Sequence, residues 1–365
     1  MGTSRIIVNF VCDFPGEFVL AVGESYPKLL ESPIFYKIYA SVRLRCLLPL
    51  ATVGHHMPAR LISYRTLFTS AERFGPDDRF VLFKVGSSGL RDNPDLARAM
   101  IAFAEERRFR FIYDTCDPAH ADSNPSVAQV QALLLRQADL VTCVTAELAT
   151  DLATITERPI RVIDDTIDCP PAPPRSSPGD PVRIVWFGWM SGLRFSNLEN
   201  QLAHIQTALP DRRFECLVLS QDLPAEWFTT IDAFLRQKGK GDVRVVHRRW
   251  DLPEAWDIIA DHDIALIPHD LEADGSARFK SHNRLTTAIR RGVFAAASPI
   301  PAYRPLSDYC WLGDNLAEGV AWALAHPEEA RARITAGQAR IDALYGPEAV
   351  GARWIEVLTE AVARA

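Results

Sequence analysis

VRIVWFG, at residues 182–188, is an apolar run rich in β-branched residues that ends at a glycine, which is typical of a buried parallel strand. Similar runs follow it along the chain, ECLVLSQ at 215–221, VRVVHR at 243–248 and DIALIPH at 263–269. Segments with helical spacing lie between these runs, at Asn197–Leu209, Ala225–Lys238 and Pro253–Ala260. Strands that alternate with helices in this way predict a parallel sheet covered by helices on both faces.

The first half of the chain shows the same alternation. Apolar runs predict strands at Val42–Leu50, 79–85, 109–114, 139–144 and 159–164. Periodic segments predict helices at Leu61–Arg73, Asp95–Arg108 and Val127–Ala138. The run RIIVNFVCDF does not fit this series, so residues 1–41 are treated as an unplaced extension with an added strand. A second doubly wound domain is therefore predicted before residue 169.

A proline-rich segment, CPPAPPRSSPGDP at 169–181, has six prolines in thirteen residues. This composition prevents a helix and disfavours a paired strand, so the segment is predicted to be a linker. It separates an N-terminal domain, residues 1–168, from a C-terminal domain, residues 182–345. The tail from 346 to 365 has the apolar spacing of a helix. The predicted fold class is α/β with two Rossmann-like, doubly wound domains, which suits a chain of 365 residues.

Composition narrows the class of protein further. Apolar residues make up 48% of the chain and charged residues 24%, as in ordinary globular proteins. A net charge of −6 gives no general field for polyanions, so a nucleic-acid partner is not expected. The seven cysteines contain no C-x-x-C pair, which predicts reduced thiols in a cytoplasmic protein and no metal site. We expect neither a signal peptide nor a membrane span, although peripheral contact with a membrane stays open.

The loops that follow the predicted strands are the candidate binding sites, because ligands of such sheets bind beyond the carboxyl ends of the strands. The loop after VRIVWF supplies four candidates, Gly188, Trp189, Ser191 and Gly192. Its two glycines would let backbone N–H groups approach a diphosphate without obstruction by a Cβ atom. A tight turn between strand and helix is an equally simple explanation of either glycine alone.

The segment after DIALIP is richer in polar candidates. They are His269 and, where a helix should begin, Lys280, Ser281, Asn283 and Arg284. Cations and hydroxyl groups at a helix N-terminus form an anion site, since the helix dipole and its free N–H groups already favour negative charge. The alternative is that Lys280 and Arg284 form an exposed i, i+4 pair that only solvates one face of the helix.

The order of these features resembles the donor domain of glycosyltransferases with the GT-B fold. The matching features are the linker, VRIVWFG, DIALIPHD, the motif K-S-x-N-R-L-x-x-A-x-x-x-G and the strand VFAAAS. The resemblance covers the chain from Val182 onwards and, more loosely, Val42–Asp164. It implies two Rossmann-like domains that face each other across a cleft, with the nucleotide-sugar held by the C-terminal domain. It also implies that the last helix returns to the N-terminal domain.

The same resemblance implies where parts of the donor would lie. The diphosphate would lie near residues 188–192, which we call the glycine loop, and near the Lys280–Arg284 segment. The base would lie near Arg249 and Trp250. Trp250 could stack on the base, although a structural tryptophan is as common. The sequence lacks the glutamate pair of the retaining branch, since Thr287 and Phe279 stand near the two positions. The anomeric outcome is therefore left open.

An acceptor hydroxyl needs a general base, so a histidine or a carboxylate with a suitable pKa is expected on the other side of the cleft. His55 and His56 lie in the loop between the predicted strand Val42–Leu50 and the predicted helix Leu61–Arg73. Asp117 follows the strand FRFIYD, and His120 lies near enough in sequence to orient it. A turn or surface role is the alternative for each of these residues.

These features together predict an enzyme that moves a sugar from a nucleotide-diphosphate sugar to a hydroxyl acceptor, in the synthesis of a surface or secondary glycan. The acceptor could be a glycan, a lipid-linked sugar or a small molecule. No cofactor or metal ion is expected beyond the donor itself. The alternatives are an epimerase or phosphorylase on the same fold, and a non-catalytic subunit that binds a glycan or a partner transferase.

Overall fold

The computed structural model describes residues 7–12, 40–63, 78–83, 90–175, 178–238 and 242–363. The chain divides into two compact units. Unit 1 comprises residues 1–168, 279–281 and 344–365, and unit 2 comprises residues 169–278 and 282–343. Each unit is built on one six-stranded sheet whose neighbouring strands are all parallel. The predicted α/β class with two Rossmann-like domains is confirmed.

Unit 1 contains the first half of the strands and helices. Its strands are β1 (Ile7–Cys12), β2 (Ala59–Ser63), β3 (Asp78–Phe83), β4 (Arg110–Thr115), β5 (Leu140–Cys143) and β6 (Ile160–Val162). Its first helices are α1 (residues 40–53), α2 (Pro94–Glu106), α3 (Pro125–Gln137) and α4 (Ala146–Leu152). The sheet order is β2-β1-β3-β4-β5-β6, so β1 lies inside the sheet although its residues were expected to be an extension.

The strand predicted at Val42–Leu50 is wrong, because these residues form helix α1, with a π-helical turn at Arg43–Leu47. Every residue from Val42 to Leu50 is buried. A helix that is buried on all sides has no polar face, so its sequence shows a continuous apolar run like that of a buried strand. The predicted helix Leu61–Arg73 starts inside β2 and continues into residues outside the described part of the chain.

Helix α1 carries a buried arginine that joins it to the sheet of unit 1. The Arg45 guanidinium bonds to both carboxylate oxygens of Asp114, with Nε 3.0 Å from Oδ2. It also reaches the carboxylate of Asp165, and Thr142 donates to Asp114. Since the arginine and both carboxylates are buried, these charges stabilise the fold only as a complete set.

Unit 2 contains the strands and helices of the second half of the chain. Its strands are β7 (Val182–Phe187), β8 (Arg213–Ser220), β9 (Asp242–Arg249), β10 (Ile264–Ile267), β11 (Phe294–Ala297) and β12 (Trp311–Leu312). The helices of this half are α5 (Gly192–Ala208), α6 (Ala225–Lys238), α7 (Glu254–Ala260), α8 (Asn283–Arg290), α9 (Leu316–Ala325) and α10 (Pro327–Tyr345). The sheet order is β12-β11-β10-β7-β8-β9, the strand order of dinucleotide-binding domains.

The C-terminal helix α11 (Pro347–Ala363) belongs to unit 1. Its Trp354 ring lies 5.7 Å from Phe10 of β1 in an edge-on arrangement, and Gly351 lies against Thr52 of α1. No helix among the described residues is long and apolar enough to cross a membrane.

The segment predicted as a linker is bonded to unit 2 along residues 169–175, which we call the strap. Arg290 Nε donates to the carbonyl of Cys169 at 2.6 Å, and Gln338 Nε2 donates to that of Ala172 at 2.7 Å. Gly292, just beyond α8, has a φ of +77°. A Cβ atom there would lie 2.3 Å from the carbonyl oxygen of Pro173. The glycine that closes the recognised motif is therefore required by the strap.

We expect Gly292→Ala to lower the free energy of unfolding by about 2–4 kcal/mol, through left-handed backbone strain and a clash with the strap. The matched control is Gly275→Ala, because an added Cβ there meets no heavy atom within 4 Å. Urea unfolding of both variants checks this. Equal stability of the two would contradict the close approach of the strap to Gly292.

Candidate active site

The strand order of unit 2 reverses between β7 and β10, which are neighbours in the sheet. Such a reversal leaves a crevice at the carboxyl ends of the two strands, where ligands of this fold class bind. Gly188 lies directly beyond the end of β7, and His269 is the second residue beyond the end of β10. In unit 1 the corresponding strands are β1 and β3, and the residues that follow both lie outside the described part of the chain.

Arg284, the second residue of α8, brings a positive charge to this crevice. Its guanidinium donates to His269 Nε2 at 3.0 Å and lies 5.7 Å from the centroid of the Trp186 ring. No carboxylate of the described residues is within ion-pair distance of it. Burial lowers the pKa of Arg284 below its ordinary value, and the nearby charge of Arg194 acts in the same direction. Arginine nevertheless stays protonated, so the site favours an anion.

His269 is held as a neutral acceptor beside this arginine. An arginine can only donate, so His269 Nε2 must carry the lone pair and Nδ1 the proton. The hydroxyl of Tyr303 is 3.4 Å from the same Nε2, and Ser298 Oγ accepts from the His269 backbone N–H at 2.9 Å. Burial raises the pKa of Tyr303, which keeps its hydroxyl a neutral donor. The group fixes the direction of the Arg284 guanidinium without cancelling its charge.

The glycine loop lies against Arg284. Gly188 has a φ of +129°, and a Cβ atom on it would be 3.4 Å from Arg284 Cδ. A larger residue would therefore strain the backbone and press on the arginine side chain. Helix α5 begins at Gly192 with Ser191 as its N-cap, and the Ser191 side chain makes no capping bond. The first N–H groups of the helix thus have no partner within the helix itself.

Arg194, in the first turn of α5, is a second cation at this site that the sequence did not single out. It donates to the carbonyl of Trp189 at 2.5 Å, and after burial its charge is a further cause that lowers the pKa of Arg284. Trp189 itself is 68% exposed. Two guanidinium groups at the start of two helices, with free N–H groups beside them, form an arrangement suited to a diphosphate.

The residues predicted near the base lie beyond β9. Trp250 packs on Phe187 at the end of β7, with ring centroids 6.2 Å apart and planes 24° from parallel. Its ring thus adjoins the glycine loop. Arg249 points away to solvent, where it is 3.4 Å from Asp222. The structure brings Trp250 to the candidate site and does not bring Arg249 there.

The predicted cluster Lys280–Arg284 is divided in the structure. Residues 279–281 belong to unit 1, whereas Asn283 and Arg284 belong to unit 2 as the first residues of α8. Lys280 Nζ lies 3.3 Å from Asp117 Oδ1, and Phe279 is buried in the apolar core of unit 1. Ser281, the third residue of this segment, is only partly buried. Lys280 therefore has a carboxylate partner and Arg284 has none, which separates the roles predicted for them.

His55 and His56 do not occupy the position expected of a base. Both follow helix α1 and precede β2, so they lie at the amino end of the sheet of unit 1, and both are exposed. The argument for them depended on the strand at Val42–Leu50, which is a helix. The crevice of a parallel sheet is at its carboxyl end, so the structure contradicts the reason for choosing these histidines.

Asp117 does lie in a loop at the carboxyl end of β4, and the structure shows what shapes that loop. Gln131, which is buried, donates from Nε2 to the Asp117 carbonyl at 3.0 Å and accepts from the His120 backbone. His120 is engaged at both ring nitrogens, by Gln131 Oε1 at 3.1 Å and by Asp151 at 3.0 Å. His120 thus stabilises the loop, and the Asp117 carboxylate is contacted by Lys280 Nζ at 3.3 Å and by Cys116 Sγ at 3.8 Å.

Comparison with known proteins rests on structure alone. No family model and no curated protein matches the sequence. Among solved structures, TarM of S. aureus superposes with a TM-score of 0.57 and 11% identity over 77% of this chain, which spans 55% of TarM. HepE of Anabaena, solved with UDP and glucose, gives 0.61 and 12% identity over 98% of this chain and all of HepE. These structures are glycosyltransferases of the GT-B class. The chain has the GT-B fold.

A third structure of similar length carries the same fold. It is the trehalose-6-phosphate protein of E. coli, bound with UDP-2-fluoro glucose, which matches at a TM-score of 0.62 and 10% identity over 96% of this chain and 98% of its own. Identities this low establish a shared GT-B fold and leave the chemistry of this chain to its own residues.

We expect Arg284→Met to weaken nucleoside-diphosphate binding by about 10- to 100-fold, the loss of one or two charge-assisted hydrogen bonds. Without ligand the variant should be at least as stable as the native protein, because it removes a charge that has no carboxylate partner. The matched control is Arg291→Met at the C-cap of the same helix, where the guanidinium bonds to Asp257 and to the carbonyls of Trp256 and Pro170.

Arg291→Met should show the opposite pattern, with stability lowered by about 1–3 kcal/mol and nucleotide affinity unchanged. Isothermal titration and urea unfolding of the two variants provide the measurements. A loss of stability with unchanged affinity in Arg284→Met would make Arg284 a structural residue.

Proposed function

We propose that this protein is a glycosyltransferase that moves a sugar from a uridine-diphosphate sugar to a hydroxyl acceptor. The observation that carries the proposal is Arg284, a guanidinium at the crevice of unit 2 that forms no ion pair with a carboxylate among the described residues. A buried charge without an ionic partner costs free energy, and a bound anion would offset that cost. HepE and the E. coli protein were solved with UDP or a UDP-sugar, which supports uridine diphosphate as that anion.

The chemistry assigned to unit 2 is stabilisation of the leaving group. Transfer breaks the bond between the anomeric carbon of the sugar and the diphosphate, and negative charge develops on the departing oxygen. Arg284, Arg194 and the first N–H groups of α5 would neutralise this charge as it forms. We propose that these groups replace a metal ion in that role. The proposal also places the protein in the cytoplasm, where nucleotide-sugars are the donors for glycan synthesis.

Asp117 stays our candidate for the base that removes the acceptor proton, if the reaction inverts the anomeric carbon. Its carboxylate is 34% exposed and lies 3.3 Å from Lys280 Nζ, and its backbone carbonyl accepts a hydrogen bond from Gln131. An ionised, fixed carboxylate can accept a proton as the acceptor oxygen attacks. The acceptor itself is proposed only as a hydroxyl compound, either a glycan, a lipid-linked sugar or a small molecule.

We expect UDP to raise the melting temperature in a thermal-shift screen of nucleoside diphosphates, since a ligand at 100 times its Kd stabilises by about 2.7 kcal/mol. UDP-sugars that raise it further identify the donor. Turnover is then measured as UDP release that depends on added acceptor, in a buffer with and without EDTA. EDTA should leave the rate unchanged. Absence of a shift with every nucleoside diphosphate would contradict the proposal.

The same assay separates the alternative activities. An epimerase would convert the donor sugar without any acceptor, and a phosphorylase would release sugar phosphate. A non-catalytic subunit would bind UDP or a glycan without turnover. Only UDP release that matches the glycosylated product mole for mole supports a transferase.

We expect Asp117→Asn to lower kcat by about 10²- to 10⁴-fold with the dissociation constant for UDP unchanged, because an amide cannot take up the acceptor proton. Asp122→Asn is the matched control, since that carboxylate lies in the same loop and pairs with Arg91. Steady-state rates at saturating donor check both variants. If Asp117→Asn keeps more than half of the native kcat, Asp117 is not the base.

A further inference from the structure

The glycine loop between β7 and α5 is hydrogen-bonded to a side chain that directly follows the next strand, β8. Gln221, directly after β8, binds the backbone of Met190 at both of its polar groups. The Met190 N–H donates to Gln221 Oε1 at 3.0 Å, and Gln221 Nε2 donates to the Met190 carbonyl at 2.7 Å. A rotated amide would place donor against donor and acceptor against acceptor, so the orientation of Gln221 is fixed.

Gln221 is itself held from two sides. His247 Nε2 donates to the backbone carbonyl of Gln221 at 3.0 Å, and the His247 ring stacks on Phe228 with centroids 5.3 Å apart. The hydroxyl of Ser220, which is buried, bonds to the Gln221 amide oxygen and also accepts from the Met190 N–H at 3.2 Å. The side chain is therefore a rigid support and not a chance surface contact.

The fixed residue lies in the middle of the loop that faces Arg284. Met190 is buried, so its side chain and both backbone polar groups are anchored. The residues on either side of it are the ones near the anion site, with Gly188 against Arg284 Cδ and Ser191 at the N-cap of α5. The Met190 N–H is already bonded, so it is not available to a phosphate oxygen.

We propose that Gln221 is a positioning residue for donor diphosphate, which sets the glycine loop in its binding conformation before the ligand arrives. This inference rests on the proposed function and extends it to a residue that would not touch the donor. A loop that is ordered in advance loses less conformational freedom on binding, so its support contributes to affinity. The support that Gln221 gives the loop contributes equally to binding of the donor and of the transition state, because both need the same loop conformation.

Two variants of Gln221 test the proposal. Gln221→Met keeps the length of the side chain and removes both bonds to Met190. Gln221→Glu keeps an acceptor for the Met190 N–H but sets a carboxylate against the Met190 carbonyl and near the diphosphate. The matched control is Gln338→Met, because Gln338 also donates to backbone carbonyls, that of Ala172 in the strap and those of Ile289 and Arg290 in α8.

The first measurement needs no ligand. Hydrogen exchange of the peptide that contains Met190 should be protected in the native protein and at least about ten-fold faster in Gln221→Met, with the rest of unit 2 unchanged. Gln338→Met should leave this peptide protected. Equal exchange in the native protein and Gln221→Met would overturn the proposal whatever the protein binds.

The second measurement is UDP affinity and the donor KM. The two lost bonds predict a Kd and a KM about ten-fold higher in Gln221→Met, with kcat little changed, and a larger effect in Gln221→Glu. Gln338→Met should lower the melting temperature and leave both constants unchanged. If Arg284→Met abolishes UDP binding and Gln221→Met does not weaken it, the positioning role is wrong and the function stands. If the native protein binds no nucleoside diphosphate, the positioning role of Gln221 and the proposed function are both wrong.

Discussion

The reversal of strand order between β7 and β10 is the constraint on which the candidate site depends. Connections that leave these two strands run to opposite sides, so their carboxyl ends border a crevice that no crossover helix fills. The loops after β7 and β10 must enter this crevice, and helices α5 and α8 begin beside it. Helix N-termini and loop N–H groups then point into one space, which gives that space a positive potential before any side chain is considered.

The side chains of the crevice increase this potential instead of cancelling it. Two buried arginines of the described residues have carboxylate partners, as Arg45 has Asp114 and Arg291 has Asp257. Arg284 has a neutral histidine and an aromatic face. Neutral partners orient a guanidinium and leave its charge available. This contrast between arginines of the same protein distinguishes a binding role from a structural one.

The part of the site that the sequence could predict is the part that strand order and loop position determine. The carboxyl-end rule selected Gly188, His269 and Arg284, and the structure brings all three together. The rule could not separate Lys280 from Arg284, because proximity in sequence does not show which carboxylate each cation meets. Tyr303 had no sequence signal, since it reaches the crevice from an element whose position only the fold defines. Arg194 was missed although it follows Gly192 by two residues, in the first turn of the helix after the selected loop.

The errors in unit 1 have one physical origin. Helix α1 is buried all round, so its residues lack the polar face by which a helix is recognised, and a strand was predicted in its place. The mistaken strand prediction placed His55 and His56 at the wrong edge of the sheet. It also left β1, which lies inside the sheet, as an extension. Sequence alone determined the α/β class and the loops that could bind a ligand, because the periodicity and the ends of strands depend on residues that are adjacent in the chain. Tertiary structure decided which charges keep a partner and which do not, because that depends on residues far apart in the chain.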